Sequence, residues 1–306
     1  MDQNYQPYSF YQEEQPVKNA AYYRMEARKA LKGKWVLAAV AYFLFTLIPA
    51  LVAIVAMIPM MISIIPLAIA QSETIPTTFF PTFIISYVLL FAVIIFIMAP
   101  FTVGIHRVGL DLIDGKAVRF ETLFAYFKKG YLSSVATHML SVLLVAVAMI
   151  PALIAAVAST AVIALAPAVA PLLAVLFMLI GLPLSIFLAI VITYRYSLAY
   201  FILAEYPTLG AIDVLRNSAA LMKGRKWKYF CLQISFIGWA LLLIPLDLIT
   251  CGVGSLIGQN VLYAYIYTAQ AAFYHDVAKR DAANDVEFPS LDPNDYNPDA
   301  DSNRPL

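Results

Sequence analysis

The sequence predicts an all-α, polytopic membrane protein with about six transmembrane helices and amphipathic helices on its cytoplasmic surface. Three observations carry that expectation. Of 306 residues, 62% are hydrophobic and 13% charged, with a mean hydropathy of +0.79, where an ordinary soluble domain carries about 25% charged residues. Four long stretches, 36–70, 74–105, 139–194 and 248–274, hold no charged side chain. Every Lys and Arg falls in alternate connections between the apolar runs. Soluble enzymes, disordered chains, collagens and disulfide-rich secreted scaffolds are excluded, because no water-soluble fold of this size can hide so much apolar surface.

A helix needs about 20 apolar residues to cross the hydrocarbon core. Six crossings follow, centred on 36–58, 82–102, 135–157, 172–194, 229–249 and 255–275. The stretch 139–194 suits two spans, turned at the Ala-Pro-Ala-Val-Ala-Pro run 166–171, since proline ends or kinks helices. Residues 59–70 are surplus, with Pro59 and Pro66 breaking the pattern; a helix extension, a re-entrant piece and an interfacial segment all fit. Cys231 and Cys251, about 30 Å apart along a helix, are too distant for a disulfide and read as packing residues.

The basic residues set the orientation. They sit before the first crossing, after the second, after the fourth and at the C-terminal end, while the connections 71–81, 166–171 and 250–254 have none. Lys and Arg mark cytoplasmic loops, so the expected location is a bacterial cytoplasmic membrane with both termini inside. The polar first 35 residues and the long first apolar run argue against a cleavable signal peptide. Residues 1–17 read as a disordered tail, 18–280 as the membrane domain, and 281–306 as an acidic disordered tail. Segments 18–35, 104–134 and 195–228 carry net charges of +5, +2 and +4 against −6 for 281–306, so the acidic tail is a candidate competitor for the basic rim.

Three cytoplasmic segments end alike. Arg-Lys-Ala-Leu-Lys-Gly-Lys-Trp at 28–35, Tyr-Phe-Lys-Lys-Gly-Tyr at 126–131 and Leu-Met-Lys-Gly-Arg-Lys-Trp at 221–227 each give Lys-Gly, an aromatic residue and then a span. This predicts an amphipathic surface helix closed by a left-handed glycine, with basic residues facing headgroups and the aromatic at the interface. The domain then divides into three units, each a surface helix followed by a helical hairpin. In the third, Pro207 and Thr208 mark the start, Leu209, Ile212, Leu215, Ala219 and Met222 the apolar face, and Asp213, Arg216 and Asn217 the polar one. The lipid-binding candidates are Lys32, Trp35, Lys128, Lys129, Tyr131, Lys223, Arg225, Lys226 and Trp227.

At these same segments the chain resembles the bacterial integral-membrane family catalogued as domain of unknown function 975. The resemblance rests on Ala27, Arg28, Leu31, Lys32, Gly33 and Trp35, and on Gly104, Arg107, Phe124, Phe127 and Lys128. Its most specific part is Tyr-Ser-Leu-Ala-Tyr-Phe-Ile-Leu-Ala-Glu at 196–205, where Glu205 stands in place of the family's Asp. It continues through Lys223, Gly224, Lys226, Trp227 and Phe230, then Ser-Phe-Ile-Gly-Trp at 235–239, and closes on Phe273 and Tyr274. The resemblance implies a polytopic bacterial membrane protein and no particular activity.

Chemistry is scarce. His106, His138 and His275 form no metal-ligand spacing, and no phosphate loop or nucleophile elbow occurs. No cofactor, metal or nucleic acid is expected, and no enzymatic activity. Asp247 reads as an interfacial carboxylate or an outward-facing ligand, and Arg195 and Glu205 as boundary anchors. Gln259, Tyr263, Tyr267, Gln270 and Tyr274 recur at 4-4-3-4 spacing, one stripe of the last crossing. Such a stripe either bonds neighbouring helices or lines a polar cavity. The first functional expectation is a non-enzymatic scaffold or accessory protein binding anionic lipids at the cytoplasmic rim, or another membrane protein. The alternative is a transporter or channel for a neutral or amphipathic, lipid-like molecule, which a cavity along that stripe would favour.

Overall fold

Five helical stretches are long and apolar enough to cross a bilayer among the described residues, which are 17–70, 79–165, 170–250 and 253–283 of the computed structural model. These residues form helices and turns, with no strand among them. All but Val17 of the first expected tail, all but 281–283 of the second, Cys251 and most of the 166–171 turn lie outside the described residues.

α1 (Ala20–Leu31) is capped by Asn19, whose side chain accepts the Tyr22 N–H at 3.0 Å, and leads into α2 (Trp35–Ala70). α2 runs unbroken through Pro59, so the surplus 59–70 is a helix extension. α3 (Phe79–Ala92) passes through a π-helical turn at Val93–Ile97 into α4 (Met98–Ile113), a rod longer at both ends than the predicted 82–102. α5 (Glu121–Phe124) and a 3-10 turn lead to α6 (Tyr131–Ala148) and α7 (Ile150–Leu165).

The predicted third span, 135–157, is thus two helices interrupted at Met149. Pro151 has no N–H to give, and the Ala152 N–H donates to Ser185 Oγ at 2.8 Å on α8 (Ala170–Arg195) instead of continuing the ladder. α9 (Ala199–Glu205) extends that span, and α10 (Ala211–Leu221) follows. α11 (Lys226–Ile234) and α12 (Ile237–Thr250) make the fifth crossing, and α13 (Val253–Ala283) ends the described chain.

The sixth predicted crossing differs in character. α13 is a single helix of 31 residues, running past the expected 255–275 into the segment read as tail, but it is not among the five strongly apolar stretches. It packs against α1, α2, α4 and α12. Ala264, Thr268, Ala269, Ala271 and Phe273 are fully buried. Facing protein rather than lipid, it carries tyrosines and amides that an outer helix would not tolerate. On α4, Gly109 lies against the Tyr267 carbonyl, where a methyl group would approach it to 3.3 Å.

The connections that carry the basic residues meet at one end of the bundle. Lys34 Nζ donates to the Gly115 and Lys116 carbonyls at 2.9 and 2.6 Å. Arg107 and Tyr126 donate to the Ala204 carbonyl at 3.4 and 2.5 Å. Tyr23 Oη donates to Asp276 at 2.7 Å, fastening α1 to the end of α13; burial, with that carboxylate beside it, holds the Tyr23 hydroxyl well above the usual phenol range, so it stays a donor. Under this layer Tyr23 and Tyr229 both meet Phe273, at 5.2 and 5.1 Å between ring centres, and Phe201 stacks on Tyr274.

Gly33, Gly130 and Gly224 all have positive φ (76°, 70° and 74°), the left-handed turn that the Lys-Gly spacing predicts. The helices before them are less uniform. The second segment contributes only α5 and the 3-10 turn. α10 starts at Ala211 behind Gly210, not at Pro207, and its buried face is Val214, Leu215, Ser218 and Leu221 with Asn217. Of the expected apolar face Leu215 and Met222 are buried while Ile212 is 66% exposed, and Asn217, expected on the polar face, is 2% exposed. The physical reason is that α10 docks on α6 and α9 rather than lying free on a surface.

Candidate functional site: an uncharged cavity at the basic end

An open cavity of about 750 Å³ lies where α4, α6, α8, α9, α11 and α13 converge. Its lining grades from polar to apolar. At the basic end stand Tyr194, Ser197, Tyr200 and Tyr229; further along stand Val145, Met149 and Ile186. Ile186 lies about 15 Å along α8 from the Tyr196 end. No Asp, Glu, Lys or Arg lines it.

The polar groups are held in place. His106 Nδ1 is 2.6 Å from the Thr102 carbonyl, one turn back in α4, and its ring is packed by Tyr200, Phe201 and Tyr267 at 5.3, 4.6 and 5.1 Å. Tyr200 Oη is 2.9 Å from His138 Nδ1 on α6. Tyr267 also packs on Tyr42 of α2, at 5.3 Å. Chemically this is a box of hydroxyl, amide and imidazole groups over an aliphatic floor, suited to hydrogen-bonding an uncharged polar group while burying an apolar one.

Of the stripe on α13, Tyr263, Tyr267 and Gln270 line the cavity. Gln259 and Tyr274 do not. Gln259 is exposed and donates to Tyr263 Oη at 2.7 Å. Tyr274 is buried and donates to Glu205 Oε2 at 2.6 Å, so the boundary anchor Glu205 ties α9 to α13. Asp247 is half-buried on α12, away from the cavity lining. The sequence reading missed Thr102, His106, Ser141, Thr193, Tyr194, Tyr200, Tyr229 and Gln233, all of which line the cavity. A usable signal existed in the i, i+4 pair Tyr229 and Gln233 and in the hydroxyl-bearing run from Thr193 to Tyr200.

The predicted lipid-facing residues differ in exposure. Lys32, Lys128, Lys129 and Lys223 are exposed, and Trp227 is 69% exposed beside Phe230. Arg225 is half-buried and donates back to the Leu221 carbonyl at 3.0 Å, beside half-buried Lys226. Trp35 packs edge-on against Tyr265 at 5.9 Å, and Tyr131 donates to the Phe96 carbonyl at 3.4 Å. These two aromatics thus join helices as much as they meet an interface.

Apolar helices of spanning length, with an open cavity lined by hydroxyl groups at one end, define an all-α polytopic membrane protein. No curated protein and no solved structure matches the chain. Residues 18–281 match the family described as "Protein of unknown function (DUF975)", and the chain belongs to that family.

Proposed function

We propose that the protein is a non-enzymatic membrane protein that holds an uncharged, amphipathic molecule, of which a lipid is the fitting class, in the cavity at the basic end of the bundle. The observation that carries this reading is the lining: about 750 Å³, within the range of small-molecule sites, polar at one end, aliphatic at the other and free of formal charge. Neutral hydroxyl groups select against ions, because a charge brought there would lose its hydration without gaining a partner.

The orientation belongs to the same proposal. The gathering of Lys and Arg at one end supports a bacterial cytoplasmic membrane with both described ends of the chain inside. Anionic lipid headgroups are the expected partners of that rim, and another membrane protein is a further candidate. Transport is the second reading, favoured because the chamber extends from the basic end well into the span, as one half of an alternating path would.

The test is purification of the full chain in native-like lipid, with native mass spectrometry of what stays bound. A neutral lipid should be retained by the wild type and lost from Ala189→Trp, which places a large ring in the lining. Equal retention by both proteins sinks the reading. Exchange of that lipid between the two leaflets of a vesicle would favour transport over holding.

A further inference from the structure

A second concavity, an open groove of about 520 Å³, lies between α6 and α10. Leu140 and Leu144 of α6 and Ile212 of α10 form its apolar wall. Arg195, Arg216 and Lys223 stand around it, and no acidic side chain lines it. Arg195 is the last residue of α8, where the uncharged run ends, so the cations lie at the membrane boundary. Ile212 is 66% exposed although Arg216, one turn further along α10, already supplies a polar surface. An exposed aliphatic beside three cations is poorly matched to water alone and well matched to the junction between acyl chain and headgroup.

We infer that this groove binds the anionic headgroup of a membrane phospholipid through Arg195, Arg216 and Lys223, with the upper acyl chain laid against Leu140, Leu144 and Ile212. The inference goes beyond the cavity reading and does not depend on it, although Tyr196 lines both spaces. One acidic residue is close by. Asp213 stands 3.6 Å from Arg216, in a pair whose side chains are 40% and 64% exposed. An exposed pair of that kind is weak and screened, and Arg216 can turn its other guanidinium nitrogens to a phosphate. The lipid, not a free anion, is the occupant because the apolar wall is useless to a soluble phosphate.

The experiment uses the full chain in neutral detergent, titrated with phosphatidylglycerol or phosphatidylcholine, with bound lipid read by native mass spectrometry. Wild type should hold phosphatidylglycerol about tenfold more tightly. The Arg195→Gln/Arg216→Gln/Lys223→Gln variant should lose that preference. The charge-matched Lys29→Gln/Arg119→Gln/Lys228→Gln variant, at exposed cations away from the groove, should keep it. Preference retained in the first variant, or lost equally in the second, overturns the site in favour of diffuse attraction by the whole rim.

Where the first variant fails to fold, Ile212→Gln serves, since its side chain is exposed. It should weaken phosphatidylglycerol binding about threefold, and unchanged affinity refutes the acyl-chain contact. Displacement of the lipid by inorganic phosphate at similar concentration would replace lipid by a soluble anion and overturn the proposal. Ala189→Trp should leave the preference intact, so failure here and failure of the cavity reading are distinguishable.

Discussion

The two halves of the bundle are built by different physics. At the basic end, Tyr23, Phe201, Leu203 and Phe273 are all fully buried, and side chains far apart in sequence are joined by hydrogen bonds to backbone and carboxylate. Toward the other end, Ile84, Val88, Leu153, Leu248 and Ile249 are 59–81% exposed, and α12 buries no residue fully. The first half resembles the core of a soluble domain. The second relies on close contacts of small residues, such as Gly181 of α8 against Ala155 and Pro151 of α7. In hydrocarbon, exposed aliphatics carry no penalty, and helices associate by packing and by interhelical hydrogen bonds such as that from Ala152 to Ser185. Where water reaches, the chain must bury apolar surface and satisfy its polar groups. One chain answers to two solvents.

Truncation is the sharpest way to break that comparison. Phe273→Ala, removing a ring wedged between Tyr23 and Tyr229, should cost about 4 kcal/mol, whereas Leu248→Ala on the lipid-facing half should cost less than about 0.5 kcal/mol. Thermal unfolding in one detergent checks both, and equal losses would erase the distinction. A smaller effect separates the three Lys-Gly turns. Gly33 and Gly224 have open space around them, so alanine meets only the left-handed backbone, at about 1 kcal/mol each.

Gly130 is also pressed against Pro207, so Gly130→Ala should cost about 3 kcal/mol by the same measurement. Equality among the three would show that Pro207 yields freely. The finest probe is Tyr274→Phe, which leaves the Glu205 carboxylate without its 2.6 Å donor. It should cost about 1.5 kcal/mol, and urea unfolding that detects no loss would mean that water replaces the phenol.

Much of this architecture was legible in the residues. The charge-free stretches locate the apolar helices, and the left-handed glycines follow from Lys-Gly before an aromatic residue. The alternation of Lys and Arg anticipates the single basic end. What escaped was tertiary. On α10 the buried Leu215 and Met222 and the exposed Arg216 follow the period, but Ile212 and Asn217 do not, because period alone cannot tell a helix on a lipid surface from one docked on α6 and α9. The interruption at Met149 depends on Ser185, 34 residues downstream of Pro151, and no local signal announces it. Three of five stripe residues reached the cavity because Tyr263, Tyr267 and Gln270 follow one face of α13, but the other walls come from five helices whose meeting is a matter of packing. His106 looked isolated in sequence and proved to be enclosed by aromatic rings on other helices.

The central position of α13 bears on how the protein is assembled. Synthesis proceeds from the N-terminus, so this helix follows all the other described helices, yet α1, α2 and α4 all rest on it. The earliest segment therefore waits for the latest, and α1 finds its mooring at Asp276 only after nearly the whole membrane domain has left the ribosome. Until α13 docks, Tyr23 and Tyr42 lack the rings of Phe273 and Tyr267 that pack on them in the folded protein.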